Sequence, residues 1–349
     1  MCWGDGNGPA GMTTMIKENL AVIKVCSKFG IAFIGKILAY AIRHPFTAFM
    51  ALLEATKEPE SEDTPPQYDI PAFTSEMEYY RGDEPYLRST HVICYTDPNV
   101  AALANRLGAF ELNKEEYAKR SFEWVRDNIR FGFSTAQSAP EVLEKGRAIC
   151  FGEMNLYAAL CRCAGIPTRY KLSTIGVEAN MIDFVGSGME EDLGKLYSLL
   201  LDAISSIFPH FMLEIELNDK WIPADPVIPK DFAPVLNYPI TMVGDDPNRT
   251  WAARYDEKYY ILEDYPILLE IGFKVAFKVL RNLGYIVNRR YDELIPKGRE
   301  ILESAGGIEG YNKRFEKSYE GKSKDLNSIM EKLMSSPDEL GEEHAHGKP

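Results

Sequence analysis

The stretch that decides the fold is residues 146–170, which read GRAICFGEMNLYAALCRCAGIPTRY. Cys150 stands after a short turn, and the apolar and small residues behind it predict a buried helix over 151–164. The helix should end at the Gly-Ile-Pro sequence of 165–167, because glycine adopts the left-handed backbone of a helix end and proline cannot continue a helix. Residues 168–175 then have the composition of a strand.

The position of Cys150 affects the ionisation and reactivity of its thiol. A thiol at a helix start lies beside unpaired backbone N–H groups and the positive end of the helix dipole, which favour the thiolate and can receive an oxyanion. Buried cysteines are also common as plain core residues, so this location alone leaves a structural role open.

A second motif lies further along the chain, in a predicted β-hairpin. Residues 211–217 alternate apolar and polar, 218–219 (Asn-Asp) form a turn, and 220–224 continue as the return strand. His210 opens the first strand, and the hairpin register places Asp225 across from residue 212, close to His210 given a bulge or a slightly longer turn. A carboxylate beside an imidazole fixes its tautomer and stabilises the imidazolium. The alternative is that His210 only ends a strand and Asp225 only begins an Asp-Pro turn.

Taken together, these motifs resemble the transglutaminase-like superfamily of papain-type thiol enzymes. The matching parts are a cysteine at a helix start, an Ala-Gly-Ile-Pro-x-Arg sequence, a histidine opening a strand, a Trp-x-x-x-Asp-Pro hairpin and a Trp-Val-x-x-Asn-Ile helix. They stand here as Cys150, Ala164–Arg169, His210, Trp221–Pro226 and Trp124–Arg130. The resemblance is nearer to a bacterial and archaeal branch than to protein-crosslinking enzymes.

The resemblance implies an α+β fold with a papain-like core, in which the nucleophile stands at the start of a buried helix packed on an antiparallel sheet. It implies Cys150 as nucleophile, His210 as general base and acid, and Asp225 as the residue that orients the histidine. We also consider Gln137, in the loop ahead of the cysteine, as a side-chain donor to the oxyanion.

Three features depart from the superfamily pattern. Ala148 stands where a glycine usually precedes the cysteine by two residues, and Phe211-Met212 follow the histidine in place of Ala-Trp or Gly-Tyr. The segment 177–208, with a predicted helix over 193–207, is longer than usual and ends just before the histidine. It should form a wall or lid over the cleft.

The pattern along the chain predicts a catalytic core with helical extensions on both sides. The predicted segments are an N-terminal helical segment (13–57), a linker (58–89), the core (90–235, with the helical insertion 177–208), a mainly helical C-terminal region (236–335) and a disordered tail (336–349). Within the core we expect a short buried strand over 91–96 and helices over 98–108, 113–129 and 140–145. Asp97, before Pro98, should start the first of these helices, and Asn113 should cap the second.

The N-terminal segment contains the most apolar stretch of the chain, residues 29–42. Lys36 and Pro45 interrupt the run of about 20 apolar residues that a membrane span needs. A peripheral membrane or partner contact through 16–53 stays open, as does packing of this helix on its own domain with 267–280 as the partner.

Composition limits the other classes of function. The chain has 349 residues, with 52 acidic and 39 basic side chains and a net charge of -13, which gives no general attraction for nucleic acid. Its six cysteines are sparse and lack zinc-finger spacing, so we expect free thiols and no metal site. We also expect no cofactor. Free thiols favour a cytoplasmic location, which would be peripheral to a membrane if the N-terminal helices dock there.

The sequence therefore predicts a thiol enzyme that acts on an amide, isopeptide or related acyl group of a protein or peptide through a Cys150 thioester. Hydrolysis is favoured over transamidation, because helical segments rather than β-rich domains flank the core. The alternative is a catalytically silent module that uses the fold for binding, or a membrane-peripheral scaffold.

Overall fold

The structure is a computed structural model that describes Leu20, Gly35 and residues 38–60, 65–177, 208–245, 252–254 and 259–315. The backbone alone is described at 173–177, 208–209 and 252–254. Three predicted features therefore lie outside the described residues: most of the apolar stretch 29–42, the helix over 193–207, and the tail 336–349.

Seven helices with defined bounds occur in the described part of the chain. They are α1 (Pro45–Thr56), α2 (Pro98–Arg106), α3 (Lys114–Asn128), α4 (Ala139–Lys145), α5 (Cys150–Cys163), α6 (Ile267–Val279) and α7 (Arg281–Ser304). Residues 38–43 and 307–315 are helical as well. The predicted caps explain where α2 and α3 begin, because the Asp97 carboxylate accepts from the first backbone N–H groups of α2 and Asn113 does so for α3.

The described strands form two sheets. The short parallel pair consists of β1 (Arg130–Phe131) and β2 (Arg147–Ala148). The strands of the antiparallel sheet are β3 (Thr168–Val177), β4 (Phe208–Leu217), β5 (Lys220–Pro223), β6 (Ala252–Arg254) and β7 (Tyr260–Leu262). Their order is β5-β4-β3-β6, with β7 also pairing with β3.

Helix α5 is the centre of the molecule. All of its residues are buried, and it contacts α2, α3 and α4 as well as strands β3 and β4 of the antiparallel sheet. A helix that is apolar on every side can only be stable when it is covered on every side. The predicted α+β class, with the cysteine helix packed on an antiparallel sheet, is confirmed.

The flanking helices share the hydrophobic core of this centre. Ala55 of α1, Leu283 and Tyr291 of α7, and Tyr311 after α7 belong to the same buried cluster as the residues of α5. The helical extensions are thus packed on the core in the described ranges.

A buried guanidinium ties the end of α5 to the sheet. Arg162 donates to Oγ1 and the backbone oxygen of Thr168 (2.8 and 3.0 Å), to the Arg88 carbonyl (2.9 Å) and to the Glu263 carbonyl (2.6 Å). These partners come from three separate parts of the chain. Burial lowers the pKa of Arg162, with the Asp264 carboxylate opposing that effect.

The strand predicted over 91–96 is wrong. These residues form turns, in which Thr90 N–H donates to the Ile93 carbonyl (3.2 Å) and Ile93 N–H donates to the Thr90 hydroxyl (3.1 Å). Val92–Tyr95 are buried as expected. An apolar run predicts burial, and it becomes a strand only when a neighbouring strand supplies hydrogen bonds.

The expectation of free thiols throughout the chain is also wrong, because Cys94 is disulfide-bonded. Cys150, Cys161 and Cys163 are free and buried.

Among the described helices, none is long and apolar enough to cross a membrane.

Candidate active site

The loop before Cys150 is held by the short parallel sheet. Arg130 pairs with Arg147 and Phe131 pairs with Ala148, so the chain reaches the cysteine from a fixed strand. Cys150 is the first residue of α5 and is 6% exposed. No side chain caps the helix start, which leaves the first backbone N–H groups beside the thiol.

Close contact between α5 and this loop depends on Gly152. A Cβ at Gly152 would come within 2.7 Å of the Ala148 Cβ, 2.9 Å of Val142 Cγ2 and 3.1 Å of the Ala136 carbonyl oxygen. Ala148 is the residue that replaces the usual glycine of the superfamily pattern. The structure accommodates its methyl group with a glycine on the facing turn of the helix.

The predicted hairpin forms with the predicted register. Asn218 and Asp219 have φ of 51° and 59°, the backbone of a tight hairpin turn, and Glu214 pairs with Pro223. The ladder ends where the Ala224 N–H donates to the Leu213 carbonyl (2.9 Å). The hairpin thereby delivers the next residue, Asp225, alongside the start of β4.

His210 and Asp225 lie together in the interior. The distance between His210 Nε2 and Asp225 Oδ2 is 3.4 Å, and the two side chains are 3% and 5% exposed. Neither carboxyl oxygen of Asp225 makes a hydrogen bond within the described part of the chain. The imidazole thus presents Nε2 to the carboxylate.

The Cys150 thiol lies near this pair. The Asp225 carboxylate is close enough to act on the ionisation of Cys150. The residues next to the thiol and the imidazole also touch, because the Phe151 ring meets the Phe211 ring at a centroid distance of 5.4 Å. Helix α5 and strand β4 therefore meet at the point where they carry Cys150 and His210.

The thiol is less acidic than its position predicts. Burial raises the pKa of Cys150 well above its usual value, and the negative charge of Asp225, together with that of Glu153 once it ionises, raises it further. The N–H groups of Phe151 and Cys150 lower this pKa, as expected at a helix start, but their effect is smaller. The net shift of the Cys150 pKa is therefore upward, and the prediction that the site favours the thiolate is wrong.

Sequence reasoning missed Glu153, which the structure places in the site. Its side chain is buried in the first turn of α5, three residues after Cys150, and its carboxyl oxygens make no hydrogen bond to described residues. Burial raises the pKa of Glu153 well above its usual value, and the Asp225 charge adds to this shift. The available signal was a lone carboxyl in an otherwise apolar helix start.

Gln137 lies against the same helix. It is fully buried, its backbone oxygen accepts from Asn155 Nδ2 (2.7 Å), and its side-chain Nε2 lies 3.5 Å from the Ser134 carbonyl oxygen. This last contact is long for a hydrogen bond, so it holds the side-chain amide only weakly. Its role as an oxyanion donor stays a prediction.

Trp221 and Arg169 stabilise the hairpin. The Arg169 guanidinium lies 4.0 Å from the centroid of the Trp221 ring and donates from Nε to Glu214 (2.8 Å). The ring of Tyr86 also meets the Trp221 ring edge to face, at a centroid distance of 5.4 Å. No group of three or more acidic, cysteine or histidine side chains among the described residues is arranged to hold a metal ion.

Comparison with known families assigns the region that contains these residues. Residues 101–226 match the family profile of the transglutaminase-like superfamily. This match supports the resemblance to that superfamily for this part of the chain. The transglutaminase-like core carries Cys150, His210 and Asp225 within the matched range, whereas β6, β7, α6 and α7 lie beyond it. A comparison with curated protein sequences finds no match.

Proposed function

We propose that this protein is a cysteine-dependent enzyme that cleaves an amide, isopeptide or related acyl bond of a protein or peptide through a thioester on Cys150. The observation that carries the proposal is the buried His210–Asp225 pair, 3.4 Å apart, beside the start of the cysteine helix. Its position within the transglutaminase-like core supports the same chemistry.

In the proposed reaction, His210 acts as the general base. Nε2 faces Asp225, so Nδ1 is the atom that takes the thiol proton as Cys150 Sγ bonds to the acyl carbon. Because the pKa of Cys150 is raised, proton transfer accompanies the attack rather than preceding it. The Asp225 carboxylate stabilises the imidazolium that results.

The tetrahedral intermediate needs donors for its oxyanion. The uncapped backbone N–H groups at the start of α5 supply them, with the Gln137 side chain as a further donor. Collapse of the intermediate breaks the C–N bond, and the imidazolium protonates the leaving amine. Water then attacks the thioester, with its proton passing to His210, and releases the free acid and the thiol.

Hydrolysis is favoured over transfer to an amine. A transamidase must admit an amine while excluding water at ~55 M, which requires a dry acceptor channel. The described regions that flank the core, 38–56 and 267–315, are helical and do not build a β-rich wall.

Acyl-type thiol probes test this proposal. We expect a peptidyl acyloxymethyl ketone to label the wild type at Cys150, and Cys150→Ala to lose the label. Cys161→Ala is the matched control, because Cys161 is a buried free thiol of the same helix. Incubation with an amide-peptide panel, with and without a primary amine, then measures free acid against amine adduct. Amine incorporation that outpaces free-acid formation at millimolar amine would overturn the preference for hydrolysis.

A binding module is the second candidate, and the 6% exposure of Cys150 favours it. In that case the probe would leave Cys150 unlabelled, and peptide ligands would bind the wild type and Cys150→Ala with equal affinity. Loss of the label and of free-acid production in Cys150→Ala alone would exclude this candidate.

A further inference from the structure

Helix α6 has apolar residues on both sides: Leu269 and Phe273 pack against the core, and a second set of apolar residues faces outward. Five large aliphatic residues of this helix are between 38% and 58% exposed, namely Ile267, Leu268, Ile271, Val275 and Val279. Its acidic residue, Glu270, is 7% exposed. A surface helix normally does the reverse, with apolar residues inward and charges in water.

The inward polar residues fix this orientation. Glu270 pairs with His91 and with Lys274 (2.9 Å), and Lys274 also pairs with Glu141 (2.8 Å) on α4. The negative charge of Glu270 raises the pKa of His91. Because Glu270 and Lys274 are engaged with the protein on one side of α6, the five aliphatic residues are held toward the exterior on the other.

The N-terminal helical residues repeat this arrangement. Ala51 and Ala55 of α1 are buried, and Asn282 Nδ2 of α7 donates to the Glu54 carbonyl (2.8 Å). The exposed large residues follow a helical spacing on the other side: Leu38, Ile42, Phe46, Phe49, Met50, Leu52 and Leu53. We call these seven residues, together with the five of α6, the outward face.

Most of the exposed large hydrophobic residues belong to the outward face. It accounts for 12 of the 16 exposed large hydrophobic residues in the described part of the chain. Single exposed apolar residues are ordinary, whereas groups of this size indicate a surface that a membrane or another molecule covers. Both helices reach the junction before α7, since α6 ends at Val279 and α1 bonds to Asn282.

The charges on these helices are suited to an anionic partner. Within 38–56 and 267–281, the exposed charged side chains are Arg43, Lys278 and Arg281, all of them basic. The sequence 19–53 has four basic residues and no acidic one, in a chain whose net charge is -13. The next acidic residues are Glu54, which pairs with Lys57, and Glu58, which pairs with Arg281.

The shape and composition of the outward face fit a lipid surface better than a protein. Its members include neither Tyr nor Trp, the residues that dominate protein–protein hot spots. A Cβ at Gly272, midway along α6, would have no atom within 4 Å, so this side of the helix is convex and open. Such helices lie in the plane of a membrane interface, where basic residues contact anionic headgroups.

We propose that the outward face binds the surface of an anionic lipid bilayer, with 38–56 and α6 lying in the interface. This contact is independent of the reaction at Cys150. The apolar residues enter the headgroup region, and Arg43 and Lys278 remain at the level of the lipid phosphates.

Vesicle flotation of the full chain tests the proposal. We expect binding to phosphatidylcholine vesicles that contain phosphatidylserine, weak binding to phosphatidylcholine alone, and weakening by salt. The double substitution Ile271→Glu/Val275→Glu should lower the affinity about tenfold or more, because it removes two apolar anchors and adds negative charge. Phe110→Glu is the matched control, since Phe110 is 44% exposed and lies outside the outward face.

Phe46→Glu/Phe49→Glu is a second variant on the other helix, in case the first fails to fold by circular dichroism. Absence of binding to anionic vesicles, or equal binding to both vesicle types, would overturn the proposal. So would light scattering that shows a wild-type dimer which these substitutions dissociate, because a second copy would then cover the face.

Discussion

The ring of Phe151 meets the ring of Phe211 edge to face, at a centroid distance of 5.4 Å and an interplanar angle of 86°. Phe151 directly follows Cys150 in the sequence, and Phe211 directly follows His210. Edge-to-face aromatic pairs are favourable and have a preferred geometry. The aromatic contact therefore fixes the helix that carries the thiol against the strand that carries the imidazole.

Asp225→Asn separates the two effects of the carboxylate. The variant should lower kcat by about 10²- to 10⁴-fold, because the imidazolium loses its stabilising charge. At the same time the pKa of Cys150 should fall, since the Asp225 charge raises it in the wild type. Turnover of an amide peptide and the pH dependence of iodoacetamide alkylation measure the two effects. A variant in which neither changes would remove Asp225 from the site.

The alkylation rate of Cys150 should rise steeply with pH. Because burial and two carboxyl groups raise the pKa of this thiol, the thiolate fraction should increase about tenfold per pH unit between pH 7 and 9, without a plateau. Burial also raises the pKa of Cys161 and Cys163, each to about 12. Peptide mapping after brief labelling should find Cys150 modified first. A rate that levels off below pH 7 would show a preformed thiolate instead.

Glu153→Gln should flatten the pH dependence of stability. The raised pKa means that the folded protein keeps the Glu153 proton while the unfolded chain releases it above about pH 4.3. Stability of the wild type is therefore lost as pH rises, by up to about 1.4 kcal/mol per pH unit until the folded pKa is reached. Urea unfolding at pH 5.5, 6.5 and 7.5 gives the comparison. Parallel curves for the two proteins would contradict a protonated Glu153.

Gly152→Ala should destabilise the protein, although alanine normally favours a helix. The new methyl would overlap Ala148, Val142 and the Ala136 carbonyl, and overpacking of this kind costs about 1–3 kcal/mol. Adding Ala148→Gly should recover part of the loss, because it removes the nearest of these atoms. Thermal unfolding of the single and double variants gives the coupling between the two sites. Additive effects would show that the two residues do not share this space.

The sequence predicted the elements whose signals are local. The caps of α2 and α3, the end of α5 near Gly165 and the register of the hairpin all follow from residues close together in the chain. The same register places Asp225 across from Met212, two residues from His210, because a two-residue turn fixes every pair behind it. Their catalytic roles remain predictions.

The features that could not be predicted depend on contacts between distant segments. Residues 91–96 are apolar enough for a strand, but a local turn uses their backbone groups. The raised pKa of Cys150 depends on Asp225, which is 75 residues away, and on Glu153. Sequence spacing shows which residue begins a helix, whereas the sign of a pKa shift depends on everything packed around it.

The buried guanidinium of Arg162 sets a minimum length for a fragment that can fold alone. One of its acceptors is the Glu263 carbonyl, directly after β7, and β7 pairs with β3. A fragment ending at residue 235 would expose one side of β3 and leave a buried cation short of an acceptor, which costs several kcal/mol. The smallest autonomous unit that contains the thiol therefore extends past Glu263, beyond the end of the region that the superfamily shares at residue 226.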